Sequence, residues 1–293
     1  MSYHQTCLYT DQRKITARRL AKDVTLKVMN QSIPKMNAIW LETTGCSGNI
    51  ISFLNSDIPN AYEVLINIVN LTFSNSIMGP EGDAAFEQFL DTLNTDFILL
   101  VDGAVSVREN GLYNIIANYK GRNITAYDAV IMAGEKAKYV VAVGTCAAYG
   151  GISAARPNPS ECKSVGDVLK RTVVRLPTCP CHPDWVIGTI AHLSAYGMPE
   201  LDSEERPLLF YSHTIHDICT RRGFFDAGFF AKAFGEEGCM FQLGCKGPIT
   251  KTECPRIKWN SYVNWPIGNN TNCIGCGNPN FPDGTEPFVK YGI

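Results

Sequence analysis

From Met36 to about Glu205, short apolar runs rich in β-branched residues alternate with longer stretches whose apolar positions recur at helical spacing. The runs Ala38–Leu41, Phe97–Val101, Tyr139–Val143 and Val173–Leu176 predict strands. Ala84–Leu93 predicts a helix. A second helix, Tyr127–Ala137, is opened by Thr125 with Asp128 three residues on, a pair suited to capping free N–H groups in the first turn. A third, Asp184–Ala195, follows Pro183 at a helix-start position and presents Val186, Ile190 and Leu193 as an apolar face. Strands and helices in alternation specify an open parallel α/β sheet, flavodoxin-like or closely related. The polar segment Glu200, Asp202, Ser203, Glu204 and Glu205, between Pro199 and Pro207, reads as a boundary. Beyond it both periods fade while Gly, Pro, Asn and Cys accumulate, so something other than a periodic core must organise that part. The division is a basic arm over 1–36, a flavodoxin-like domain over 37–205 and an irregular domain over 206–293.

Charge sharpens the reading of the arm. Residues 1–36 carry seven basic side chains against Asp11 and Asp23, while the whole chain has a net charge of -2, so the body is acidic. A near-neutral balance excludes the strongly basic face of a nucleic-acid binder. No apolar run is long enough to span a membrane. Arg18-Arg19 resembles a twin-arginine export signal, but Lys22, Asp23 and Lys27 follow where an apolar stretch would be required, so the expectation is an unexported, cytoplasmic protein. Leu20, Val24 and Val28 lie at helical spacing, which suits either an amphipathic strap on a partner or on acidic lipid, or a solvated tail.

The chain of 293 residues contains 12 cysteines. In a reducing compartment that count points to metal or redox work rather than to disulfides. Cys46, Cys146 and Cys179 each stand just beyond a predicted strand. The carboxyl ends of strands in an open parallel sheet converge on one crevice, where such folds bind ligands. Gly45, Gly48, Gly144, Gly150 and Gly151 surround them, as close backbone approach to a bulky inorganic group requires. For any one of these cysteines, a small buried apolar role is the simpler reading.

Downstream, His216-x-x-Cys219 is followed by Cys239 and Cys245, and then by Cys254 and the pair Cys273-x-x-Cys276. The first set on its own suits a structural zinc as well as a cluster. The second, with three thiolates, is awkward for closed tetrahedral zinc and natural for a cuboidal iron–sulfur cluster lacking one iron.

These residues carry a resemblance. The chain, from about Asn37 onward, resembles the small, electron-transferring subunit of NiFe hydrogenases. The matching strings are Trp40-Leu41-Glu42 leading to Gly45-Cys46-Ser47-Gly48, Gly144-Thr145-Cys146-Ala147-Ala148-Tyr149-Gly150-Gly151, Leu176-Pro177-Thr178-Cys179-Pro180 and His216-Asp217-x-Cys219. Further matches are Cys239 with Leu243-Gly244-Cys245-Lys246-Gly247-Pro248, Cys254-Pro255, Asn264-Trp265-Pro266 and Cys273-x-x-Cys276. The resemblance implies a flavodoxin-like domain followed by an irregular iron–sulfur domain. It also implies a row of three clusters leading away from a NiFe centre in a large subunit. It assigns Cys46, Cys146 and Cys179 to a proximal cluster and His216, Cys219, Cys239 and Cys245 to a distal 4Fe-4S cluster. Cys254, Cys273 and Cys276 go to a medial 3Fe-4S cluster, with Pro266 where some relatives have a fourth cysteine. The implied activity is electron relay in an H2-oxidising heterodimer, to an acceptor protein or quinone that docks near His216, Arg221, Arg222 and Lys246 unless those charges form a solvated face. Peripheral membrane contact and a dimer of heterodimers are further assemblies the resemblance admits. A quinone-reductase-related iron–sulfur subunit and a zinc-stabilised interaction module are the competing readings.

The sequence departs from the family at one ligand. The C-x-G-C pattern reads Cys46-Ser47-Gly48-Asn49 here, so the fourth proximal thiolate is missing. The alternatives are a 4Fe-4S cluster with Asn49 as an oxygen ligand, a 3Fe-4S cluster on three thiolates, and ligation by Cys181, the runner-up. This C-x-G-N variation occurs among unexported uptake or high-affinity types. Gly48 and Gly151 occupy the positions of the two extra cysteines found in oxygen-tolerant membrane-bound relatives. Cys7 and Cys162 match no ligand position and read as structural.

Overall fold

The computed structural model describes residues 17–283. Five strands form one parallel sheet: β1 (Met36–Glu42), β2 (Val69–Ser74), β3 (Phe97–Asp102), β4 (Tyr139–Val143) and β5 (Val174–Leu176). Their order is β2-β1-β3-β4-β5, so the sequence runs outward in both directions from β1 and β3. All four anticipated strands are present. The one that periodicity does not reveal, β2, lies at the sheet edge, where Asn70 and Thr72 interrupt the apolar run and Thr72 Oγ1 donates to the Ala38 carbonyl at 3.1 Å.

Successive side chains of a strand point to opposite faces, so the sheet feeds two cores. Trp40, Leu100, Val143 and Leu176 enter one core, and Leu41, Val101 and Ala142 enter the other. The second face is covered by α4 (Gly82–Thr92), α5 (Ala126–Lys136), α6 (Gly144–Tyr149) and α7 (Val165–Leu169). Thr125 and Asp128 form the anticipated reciprocal cap at the start of α5. The first face is covered by α1 (17–29), α2 (Gly48–Leu54), α3 (Ala61–Asn67) and α8 (Pro183–Tyr196).

α1 corrects the picture of a strap for partners or lipid. Its Val24 is fully buried, Leu20 and Val28 pack against the same core, and Ala17 lies 3.3 Å from where a Cβ on Gly188 of α8 would stand. The apolar stripe is therefore consumed by this chain's own body. Residues 1–16, including Cys7, lie outside the described residues. Among the described residues, no helix is long and apolar enough to cross a membrane.

From residue 206 onward there are only short helical turns, held by loops. Phe210, Tyr211, Ile257, Trp265 and Ile267 join the first core beside Trp185 of α8. The join is tightened by Arg206, whose guanidinium meets Asp202 at 2.7 Å with both side chains nearly buried. The irregular segment is thereby pressed against the carboxyl ends of β4 and β5.

Candidate metal centres

Parallel strands deliver the first three thiols. Cys46 follows β1, Cys146 lies in the first turn of α6 just past β4, and Cys179 follows β5. The Cys46 loop is tied to the neighbouring strand end by Thr43 N–H to the Asp102 carbonyl at 2.7 Å and Thr44 N–H to the Ala104 carbonyl at 2.9 Å. Burial, then the charges of Cys146, Cys46 and Asp102, push the Cys179 thiol up to about 11. A thiol whose ionisation is opposed chiefly by burial becomes a thiolate when a cationic group binds beside it. Space is reserved for such a group: a Cβ on Gly48 would lie 3.2 Å from Cys46 Sγ, and one on Gly151 would lie 3.1 Å from Cys146 Sγ.

Asn49 does not face this crevice freely. Its Nδ2 donates to Asp102 Oδ1 at 2.6 Å and to the Val143 carbonyl at 3.3 Å, and its Oδ1 accepts from Cys181 N–H at 2.7 Å. The amide oxygen is thus engaged within the protein. Cys181 turns the other way: it is buried in the core with α2 and α8, its Sγ directed at the His182 carbonyl. Asp102, which no sequence motif singles out, is 3% exposed, and its Oδ2 has no partner. Burial pushes its carboxyl up to about 7 despite the bond from Asn49. The signal for it lies in the predicted strand Phe97–Val101, whose carboxyl end has to open onto the same crevice.

The second set surrounds a cavity of about 270 Å³ lined by Cys254, Cys273, Cys276 and Cys179, together with Pro266. Cys254 Sγ is met by Thr252 Oγ1 at 3.3 Å and Trp259 Nε1 at 3.5 Å. Cys273 is pushed up to about 12 by burial, with Cys245 and Cys254 adding to the effect. Thr145, next to Cys146, donates to the Cys276 carbonyl, which joins this cavity to the first crevice.

The third set lies further out. Cys219 is raised to about 11, first by burial and then also by the nearby Cys245 and Cys239. His216 packs edge-on against Phe225 with ring centres 4.5 Å apart. Desolvation, aided by Arg222, lowers its pKa, which keeps the imidazole neutral and able to ligate metal.

One local device recurs. Gly48 N–H points at Cys46 Sγ (3.4 Å), Arg221 N–H at Cys219 Sγ (3.3 Å), Gly247 N–H at Cys245 Sγ (3.4 Å) and Gly275 N–H at Cys273 Sγ (3.4 Å). A backbone donor two residues after each cysteine stabilises thiolate and tunes bound iron–sulfur groups. Three of the four donors are glycines, a spacing visible in the sequence. Among the described residues, no three His, Cys, Asp or Glu side chains converge closely enough to share a single metal ion.

The cations near His216 are spent internally. Arg221 donates to the Gly238 carbonyl at 2.8 Å and the Glu236 carbonyl at 3.2 Å, Arg222 pairs with Asp226 at 2.8 Å, and Lys246 bonds to Asp283. Cys162 is buried beside Ser160 Oγ at 3.3 Å, away from all three sets.

Comparison with known proteins follows the same division. Residues 211–289 match the C-terminal family of the NiFe/NiFeSe hydrogenase small subunit, and residues 46–193 match the family of the NADH ubiquinone oxidoreductase 20 Kd subunit. The chain is 37% identical over 280 residues to the periplasmic [NiFeSe] hydrogenase small subunit of Desulfomicrobium baculatum, covering 89% of each. It is 38% identical over 265 residues to the periplasmic [NiFe] hydrogenase small subunit 1 of Nitratidesulfovibrio vulgaris, covering 87% of this chain and 82% of that one. The fold superposes on the reduced, active NiFeSe hydrogenase of D. baculatum with a TM-score of 0.82, covering 87% of this chain and 98% of that one at 37% identity. These periplasmic relatives overturn the expectation of an unexported, cytoplasmic protein. That expectation rests on the polarity following Arg18-Arg19. Those residues form α1, whose polar positions are those of a helix docked on a protein surface and carry no information about compartment.

Proposed function

The chain belongs to the family of NiFe and NiFeSe hydrogenase small subunits and is the electron-transferring iron–sulfur subunit of a hydrogenase, paired with a large subunit, and we propose how its three ligand sets divide that task. Cys46, Cys146 and Cys179 hold the proximal cluster. Cys254, Cys273 and Cys276 hold a medial 3Fe-4S cluster, with Pro266 lining the same cavity in place of a fourth ligand. His216, Cys219, Cys239 and Cys245 hold a distal 4Fe-4S cluster. When bound, such clusters supply one-electron carriers whose potentials follow their charge, their hydrogen bonds and their burial.

One observation carries the assignment of three adjacent sets in series. Cys179 lines the same cavity as Cys254, Cys273 and Cys276, and the Lys246 N–H, next to Cys245, donates to the Cys273 carbonyl at 2.8 Å. Each set is therefore a near neighbour of the next. The protein's own contribution is positional: the sheet ends fix the first set, and the 145–276 hydrogen bond docks the second. The paired carbonyls under Arg221 brace the loops of the third. Burial around Cys254 and Cys273 keeps water from the middle of the row.

The hydrogenase register over 211–289 favours this reading over a quinone-reductase relative, whose family match ends at residue 193. Anaerobic co-purification with a nickel-bearing subunit tests it. The preparation should be brown, contain acid-labile sulfide and give three distinguishable cluster signals by electron paramagnetic resonance. A colourless protein loaded with zinc would end the proposal.

A further inference from the structure

Cys46, Cys219, Cys245 and Cys273 each have a backbone donor two residues on, and Cys254 does not. Pro255 follows it and has no N–H, while the N–H of Arg256 is turned to the Glu253 carbonyl at 2.9 Å as the short helix Cys254–Ile257 begins. Two side chains stand in for the backbone. Trp259 Nε1–H points at Cys254 Sγ at 3.5 Å, and Thr252 Oγ1 lies 3.3 Å from the same sulfur. Thr252 is buried, and both residues line the cavity shared by Cys254, Cys273 and Cys276.

The chain bends back to bring the indole there. Lys258, which ends that helix, has φ +61° and ψ 173°, a region that only glycine enters without strain. Such a residue persists where its surroundings over-determine it, and they do so here. The buried His182 accepts from the Asp184 N–H at Nδ1, which leaves Nε2 to donate to the Lys258 carbonyl at 2.9 Å. The same imidazole packs against Trp259 with ring centres 4.9 Å apart and planes at 66°, and Trp185 meets the indole edge-on at 6.3 Å. Trp259 N–H donates to the Asn264 carbonyl at 2.6 Å, and Asn264 N–H returns a bond to the Trp259 carbonyl at 3.3 Å. The direction of the indole N–H is therefore fixed by both its backbone and its ring.

Resting on the reading that Cys254, Cys273 and Cys276 hold the medial cluster, we propose that Trp259 and Thr252 raise the reduction potential of that cluster by donating hydrogen bonds to Cys254 Sγ. An indole has only an N–H to give, and a metal-bound thiolate can only accept, so both bonds run toward the sulfur. A bond donated to sulfur strengthens as the cluster gains an electron and its sulfurs become more negative, which favours the reduced form. Thr250, near Cys273, takes no such part: its hydroxyl donates to the Lys246 carbonyl at 2.7 Å. Trp259 and Thr252 act through Cys254 and are positioning residues, with His182 holding the turn that aims the indole.

Potentiometric titration of the anaerobically purified heterodimer, followed through the paramagnetic signal of the oxidised medial cluster, tests this. The medial midpoint should fall in Trp259→Phe, which keeps an aromatic ring in place, and in Thr252→Val, which keeps the side-chain shape. At the wild-type midpoint the ratio of reduced to oxidised medial cluster should drop roughly tenfold in Trp259→Phe, which is about 59 mV for one electron. Thr252→Ser retains a hydroxyl and should retain the wild-type midpoint. The proximal and distal midpoints should not move in any of these variants. An unchanged medial midpoint in Trp259→Phe or in Thr252→Val overturns the proposal, and so does an equal fall in all three clusters. If Trp259→Phe does not assemble, the contrast between Thr252→Val and Thr252→Ser decides alone. Absence of a three-iron signal from the wild-type protein would instead overturn the medial assignment beneath the proposal.

Discussion

The backbone N–H of Cys181 donates to Asn49 Oδ1 at 2.7 Å, so the residue standing where relatives have a thiolate is bound into the wall of its own site. The opposite end of the same amide holds Asp102. Asn49 thereby couples α2, the end of β3 and the segment after β5 in one buried network.

Replacing Asn49 by alanine removes these bonds and leaves the Cys181 N–H and an Asp102 oxygen unpaired. A buried polar group stripped of its partner costs about 1–3 kcal/mol. The expected outcome is a lowered unfolding midpoint with all three thiolates still bound to iron, read by denaturant titration and by iron and sulfide content.

Gly144→Ala should cost about 3 kcal/mol, because strain at positive φ adds to the overlap with Asn49. Gly121 offers a comparison. It has φ +78° but nothing within 4 Å of a Cβ, so Gly121→Ala should show the dihedral cost alone, about 1 kcal/mol. Equal losses in the two variants would mean that the Asn49 contact is unimportant.

The Asp202–Arg206 pair gives the fold an acid limit. Burial pulls the Asp202 carboxyl upward, but hydrogen bonds from Arg206 and its charge outweigh this and hold it below the ordinary value of 3.8. Its contribution is therefore present above that value and is lost as pH falls through the lower, folded value. Arg206→Met should destabilise by about 1–3 kcal/mol at neutral pH, since it removes the guanidinium from a nearly buried carboxylate that keeps the Glu204 and residue-206 N–H donors and Lys251. Asp202→Asn should flatten the acid limb of the stability profile, measured by chemical denaturation at a series of pH values.

His216→Cys should retain the distal cluster with a thiolate in place of a neutral imidazole. The added negative charge should lower its potential, by on the order of 100 mV. Potentiometric titration reads the shift. Hydrogen–deuterium exchange, which needs only the partner's centre, should be unchanged.

Arg221 and Arg222 should separate structure from acceptor contact. Arg221→Ala removes the bonds that brace residues 236–238 near Cys239, so distal iron should become labile to chelators. Arg222→Glu leaves those braces intact while removing an exposed pair with Asp226 and a cation near His216, and should slow acceptor reduction without loss of iron. Identical chelator sensitivity in the two would refute that distinction.

Much of the molecule is legible in the order of residues because its determinants are local. A strand buried on both faces must be largely apolar, so the interior strands β1, β3 and β4 stand out, and β5 at the edge is still marked by Val173, Val174 and Leu176 around Arg175. A capped helix such as α5 announces itself within four residues. Cysteines with an N–H donor two residues on occupy three-residue turns, and the proposed division of thiols into three sets is readable from spacing and resemblance. β2 escapes because an edge strand tolerates Asn70 and Thr72, which erases the period that marks a strand.

The tertiary structure alone decided the relations that cross the sheet. That Val24 of the arm is buried against α8 follows from where two helices meet, not from the stripe that is common to a strap and a docked helix. That Asn49 Oδ1 accepts from the Cys181 N–H, that Cys181 faces the core, and that Asp102 keeps an unpartnered oxygen at the end of β3 all depend on strand register. Residues 49, 102 and 181 are far apart along the chain, and hydrogen-bond geometry is set by ångström-scale placement that composition and spacing do not encode. The sequence determined which atoms were available to hold metal; the packing of β1, β3 and β4 determined which oxygen is free among them.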